Sequence, residues 1–293
     1  MRYVLENDTL RVEIDSFGAE LKSVKRKSGD KEYMWYADKK YWGRTSPVLF
    51  PFVGNCRNKE YRYGGKTYAI GQHGFARDME HTMESRTEDT IWFSLHSNEE
   101  TMEKYPFAFV LKIGYNLTGN ELKVMWKVEN PDTKTLYFSI GAHPAFLCPF
   151  NGEENKLGYG LQFAGLKEVH HHGNTPDTGL AVMSEDIVIP LEDEKVYFTP
   201  GFFDRCTYMV EGKQTGEVSL VTPDGKPYVT MDFDAPLFAI WSPEGKDAPF
   251  VCIEPWYGRC DADDFDGTLE ERAYENAVEP EQTFEASYSI RYL

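Results

Sequence analysis

The feature that most constrains this chain is a strict two-residue alternation of apolar side chains, sustained over several long segments. Over residues 107–117, Phe107, Phe109, Leu111, Ile113, Tyr115 and Leu117 fall on one side. Beyond the turn-like Thr118-Gly119-Asn120, the residues Leu122, Val124, Trp126 and Val128 alternate with Glu121, Lys123 and Lys127. Successive side chains of a strand point to opposite faces, so this spacing describes two half-buried strands joined as a long hairpin. A second hairpin is expected where Pro-Asp-Gly-Lys (223–226) joins residues 217–222 to 228–233. Residues 283–293 place Phe284, Ala286, Tyr288, Ile290 and Tyr292 on a single face.

Helical signal is sparse. Residues 97–105 allow two or three turns, with Ser97 as N-cap and Glu100 three residues on. Residues 151–200 are rich in Gly, Asn and charge and read as loops with short strands. Within them the run His170–His172 reads as a solvated loop able to collect stray metal at most. Length alone, at 293 residues, admits two domains, but all-β units of this size are common. The expectation is an all-β protein, one large antiparallel β-sandwich over residues 1–293 with few short helices.

Composition narrows the function classes. With 31 Lys and Arg against 48 Asp and Glu, the formal charge is -17 and no Lys/Arg-dense stretch exists. A nucleic-acid partner needs a basic footprint to displace counterions, and an anionic membrane surface needs one too, so neither is expected. The five cysteines (Cys56, Cys148, Cys206, Cys252 and Cys260) are scattered without CxxC spacing, which argues against a disulfide framework or a zinc knuckle. No apolar leader or long apolar run is visible, and a cytoplasmic protein with reduced thiols is expected.

Three stretches break the alternation with ionisable residues. An apolar strand from Pro47 leads to Arg57, after which a Gly-Gly turn and a short strand deliver His73 between Gly71 and Gly74. The segment Phe138–Phe146 presents His143 just before Pro144, and Phe250–Ile253 presents Glu254 just before Pro255. Proline has no N–H for the ladder, so both residues are expected at the rim of a sheet, where a rigid strand meets an open loop. A lone histidine beside a strand is more often structural than functional. Glu254, set among Ile, Pro and Trp, is more telling, because a carboxylate there is costly unless partnered. Two histidines and a carboxylate are also a known metal-ligand set. Arg57 and Arg77 nearby disfavour a cation, and neither metal nor cofactor is expected.

Taken together and in order, the motifs VGNCRN (Arg57), GQHGFARD (His73), SIGAHPAF (His143) and CIEPWYG (Glu254) resemble those of the aldose 1-epimerase (galactose mutarotase) family, most closely its LacX-like bacterial branch. The final VEPEQTFEASYSIRY resembles that family's last strand, so the likeness spans nearly the whole chain. The resemblance implies a galactose mutarotase-like supersandwich with a shallow sugar cleft across one sheet. It implies Glu254 as general base, His143 as general acid, and Arg57 and His73 as donors to the sugar. The family's sugar-binding aspartate corresponds here to Asp204, in a stretch (GFFDRCTYM) whose spacing is shifted. Trp256 and Phe75 are candidate platforms for a pyranose face, although either could be core packing.

The implied reaction interconverts the α and β anomers of a hexopyranose. A base takes the anomeric hydroxyl proton while an acid protonates the ring oxygen, the ring opens, C1 turns, and the ring closes on the other face. Ordinary values of about 4.3 for Glu and about 6.5 for His suit these roles, and proximity is expected to favour the charged form of each. The expected partner is a neutral hexose, with the protein a monomer or homodimer. Two alternatives stay open. One is a sugar-phosphate 1-epimerase, needing a cationic pocket from among Arg57, Arg77, Arg205 and Arg259. The other is a catalytically silent carbohydrate-binding protein.

Overall fold

The alternating segments pair as their spacing requires. In a computed structural model describing residues 1–293, Val110–Thr118 and Glu121–Glu129 run antiparallel, with Leu117 opposite Leu122 and the turn made by Gly119 (φ +57°) and Asn120. Leu111, Ile113, Tyr115, Leu117, Leu122, Val124, Trp126 and Val128 are all buried in one apolar core. Each such side chain removed from water contributes about 1.5–3 kcal/mol, which fixes the register: a slip of one residue would expose the whole set. Glu217–Val221 and Pro227–Phe233 form the second hairpin.

These hairpins belong to a nine-stranded sheet in which Thr283–Tyr292 lies between Glu121–Glu129 and Pro227–Phe233, paired to both. An eight-stranded sheet, built around Leu237–Trp241 and Phe250–Tyr257, packs against it. Trp126 meets Tyr257, and Phe233 meets Phe238, across the interface. Every pairing between strands is antiparallel, and smaller sheets of four and two strands flank the pair. The chain is therefore the all-β sandwich its pattern calls for.

The single α-helix is Glu99–Lys104. Its N-cap is Asn98 rather than Ser97. Asn98 Oδ1 accepts from the Thr101 N–H at 2.9 Å, and Thr101 Oγ1 accepts in return from the Asn98 N–H at 2.8 Å. The run His170–His172 is not a loop either. It lies in the strand Glu168–Asn174, where alternation buries His171 and leaves His170 between Asp186 and Glu168.

The two proline positions also differ from expectation. Phe250–Tyr257 continues straight through Pro255, and after His143-Pro144 the neighbouring strand resumes as Ala145–Leu147. The ladder loses bonds at the prolines but keeps its course. Gly141 faces Trp256 before the gap and Ala145 faces Cys252 after it. This unbroken register sets His143 directly across from Glu254, inside the sheet rather than at its rim.

Candidate active site

Along Phe250–Tyr257 the faces separate cleanly. Val251 and Ile253 enter the core between the sheets, whereas Cys252, Glu254 and Trp256 point to the outer face of the eight-stranded sheet. On the neighbouring strand Phe138, Ile140 and Ala142 face the same core, which leaves His143 on the outer face. Period-two geometry thus delivers both ionisable groups to one surface. His143 Nδ1 lies 3.4 Å from Glu254 Oε1, with only 9% and 1% of the two side chains exposed. Neither His143 Nδ1 nor Glu254 Oε2 has a hydrogen-bond partner.

Burial dominates the electrostatics. It pushes the Glu254 carboxyl well above its ordinary range, with the Trp256 indole N–H pulling slightly back. It pushes His143 down to about 3, assisted by the positive charges of Arg77 and Arg44. Proximity of the pair was expected to charge both groups; desolvation instead favours the neutral form of each. One proton on the pair is the preferred state.

His73 stands beside them, its ring 5.7 Å from that of His143. Its backbone is left-handed (φ +63°), and the His73 N–H donates to Gly54 O at 2.8 Å. The Gly54 N–H in turn donates to His73 Nδ1 at 3.0 Å. An accepting Nδ1 puts the proton of the neutral ring on Nε2. Burial, then Arg77, His143 and Arg44, hold His73 well below its ordinary value, so the ring stays neutral. Gly74 follows at φ +66°, where a Cβ would come 2.3 Å from Phe50 O. Only glycine allows the turn that aims His73.

The cleft measures about 430 Å³, within the range of about 300–1,000 Å³ usual for small ligands. Its walls include Trp42, Trp241, Trp256, Arg77 and the 174–179 loop, which is tied down by the Asn55 side chain donating to Thr178 O at 2.8 Å. Trp42 stacks on His143, and Trp241 meets the same ring edge-on. Arg77 has its side chain 14% exposed; its Nη2 donates to Gln72 O at 2.7 Å, while Nε has no hydrogen-bond partner. Burial and Arg44 push Arg77 down to about 10, still charged at neutral pH.

Of the seven catalytic and sugar-contacting candidates, Glu254, His143, His73 and Trp256 line this cleft and three do not; of the arginines offered for a phosphate pocket Arg77 lines it, while Arg205 pairs with Glu185 and Arg259 with Glu211 away from it. Arg57 Nη1 donates to Phe265 O at 3.0 Å, and the Arg57 N–H donates to Asp261 Oδ2 at 2.8 Å. Asp261 is itself clamped by the buried Arg272, whose Nε sits 2.7 Å from Asp261 Oδ1. Arg57 thus braces a loop crossing. Asp204 lines a different hollow and accepts from the Gly245 N–H at 3.0 Å. Phe75 packs on Tyr105 and Phe109. Trp42 and the 174–179 loop left no periodic signal, whereas Trp241 shares the outward alternation of Leu237 and Ala239 and could have been found that way.

Comparison with known proteins identifies the family and the fold. The sequence model of the family described as Aldose 1-epimerase matches residues 1–261. Protein LacX (chromosomal) of Lactococcus lactis subsp. lactis is 31% identical over 300 residues, covering 100% of both chains. The structure of a galactose mutarotase related enzyme from Lactobacillus acidophilus is 37% identical, with a TM-score of 0.94 over 100% of this chain and 97% of that one. A galactose mutarotase-like protein from Lactobacillus casei is 28% identical, with a TM-score of 0.91 over 100% of both chains.

Proposed function

Since the chain belongs to the aldose 1-epimerase family, we propose that it is an isomerase interconverting the α and β anomers of a hexopyranose. In this reading Glu254 and His143 exchange protons with the sugar. The observation that carries it is the 3.4 Å separation of His143 Nδ1 and Glu254 Oε1 on the floor of the cleft. The anomeric hydroxyl oxygen and the ring oxygen are both bonded to C1. A base serving one and an acid serving the other must therefore be close neighbours, as these two are.

The chemistry needs one proton on the pair. Glu254 takes the anomeric hydroxyl proton while His143 protonates the ring oxygen, the C1–O5 bond breaks, and an open-chain aldehyde forms. After rotation about C1–C2 the roles reverse and the ring closes. Burial favours the proton on Glu254 in the free protein, so it must pass to His143 as sugar hydroxyls hydrogen-bond the carboxylate in place of water. Each positioned acid or base is worth roughly 10²–10⁴-fold. His73, with its proton on Nε2, is a fixed donor toward the sugar, and Trp256 offers an apolar wall.

A second reading is favoured by one observation: a charged, mostly buried Arg77 faces the cleft with Arg44 close by, and the two share a single counter-ion, Asp78, 3.8 Å from Arg77 Nε and 2.8 Å from Arg44 Nη2, which leaves one positive charge over. A neutral hexose does not require that charge; a sugar phosphate does. Polarimetry of freshly dissolved α-D-glucose, α-D-galactose and glucose 6-phosphate tests both readings. Faster mutarotation of the free sugars is expected under the first, and selective acceleration of the phosphate under the second. Acceleration of none would remove the enzymatic reading.

A further inference from the structure

We propose that the floor of the cleft is also a binding site for a thiophilic divalent cation of the zinc type, held by His143, Cys252 and Glu254. Cys252 and Glu254 are two residues apart on the same outward face of one strand, and His143 lies across from Glu254. The candidate ligand atoms of all three lie within 4.8 Å of one another. The 3.4 Å between His143 Nδ1 and Glu254 Oε1 is the span of two ligands on a tetrahedral ion with bonds of about 2.0–2.2 Å. The Cys252 sulfur needs to close by about 1.2 Å at most to complete a third vertex.

A second observation marks the same spot. His143 Nδ1 and Glu254 Oε2 are buried without hydrogen-bond partners, an unfavourable state for polar atoms. A cation on His143 Nδ1 and the Glu254 carboxylate would satisfy the orphaned nitrogen and neutralise the group that carries the orphaned oxygen. The charges also close: one thiolate and one carboxylate neutralise a divalent ion, and a neutral imidazole ligates through its unprotonated nitrogen. Binding expels the Cys252 thiol proton, and the proton shared by the Glu254–His143 pair, to solvent. Arg77 and Arg44 repel hard cations that bind mainly through charge. A soft ion that forms strong bonds to sulfur is selected over Mg²⁺ or Ca²⁺. Occupancy would tie up the two groups assigned to proton transfer, so the metal acts as an inhibitor rather than a cofactor.

Cadmium reports such a site directly, because thiolate coordination gives a charge-transfer band in the ultraviolet. The chelator-treated protein titrated with Cd²⁺ should show that band saturating at one equivalent. Cys252→Ala should lose it, and Glu254→Gln should weaken the affinity at least tenfold. No band in the folded wild-type protein, or an undiminished band in Cys252→Ala, would overturn the proposal. If Cys252→Ala does not fold, Glu254→Gln decides alone, an unchanged affinity overturning the site. None of these readouts depends on any sugar being turned over, so failure of the epimerase reading would be seen separately.

Discussion

The indole of Trp42 lies on the imidazole of His143, with ring centroids 4.6 Å apart and planes 26° from parallel. The negative face of an indole stabilises a cation above it by about 0.5–2 kcal/mol. His143 becomes imidazolium only when it takes up the proton it will give to the ring oxygen, so Trp42 assists a state that burial opposes. Trp42→Ala should slow anomerisation by about 3- to 30-fold, and Trp42→Phe should restore part of the rate. Polarimetric rates at saturating sugar measure this directly.

Glu254→Gln removes the proton acceptor while keeping the shape of the protonated acid that burial already favours. Turnover should fall by at least about 10²-fold, with the thermal midpoint equal to wild type or higher. Anomer-exchange NMR gives the rate, and calorimetry gives the midpoint. Normal turnover would reassign the base.

The pH dependence follows from the one-proton pair. His143 is depressed to about 3, chiefly by burial, so a second proton that would leave no base arrives only near that value. Glu254 is raised by burial, so the last proton, without which there is no acid, is lost only well above the ordinary carboxyl range. On the acid side the rate should therefore fall only near pH 3, not near the 6.5 at which a histidine of ordinary value takes up its proton. An acid limb centred near 6.5, the rate falling as the pH drops through it, would contradict the shared-proton account.

Two arginines separate binding from bracing. Arg77 faces the cleft and Arg57 is tied to Phe265 and Asp261. If the natural sugar is anionic, Arg77→Ala should raise KM for a sugar phosphate by about 10- to 100-fold, the worth of one charge-assisted hydrogen bond. Arg57→Ala should leave KM unchanged and lower the thermal midpoint. The reverse pattern would restore Arg57 to the site.

Gly74→Ala tests how His73 is held. The new Cβ would sit 2.3 Å from Phe50 O at a left-handed φ. A loss of about 2–4 kcal/mol is expected from strain and overpacking together. Chemical denaturation measures it; a loss below about 0.5 kcal/mol would mean that the loop relaxes freely.

Much of this was legible before any coordinates because a strand's period is two. Alternation located the long hairpin, and the same alternation carries Cys252, Glu254 and Trp256 to one face. Glu254, His143 and His73 stood out because an ionisable group among packing residues needs a reason. Proline misled at both catalytic candidates: it removes one ladder bond, yet the neighbours of Pro144 and Pro255 hold the register. Arg57, Asp204 and Phe75 could not be sorted from cleft residues by motif alone. Their placement depends on contacts with Phe265, Gly245 and Tyr105, all distant in sequence.

The strand Thr283–Tyr292, last in order, is the seam of the nine-stranded sheet, with Glu121–Glu129 on one flank and Pro227–Phe233 on the other. That one segment closes two edges at once: without its pairing the half-sheets part, each left with a row of bare backbone N–H and C=O groups open to a strand of another molecule. Whatever loosens this strand therefore turns an intramolecular seam into an invitation to association.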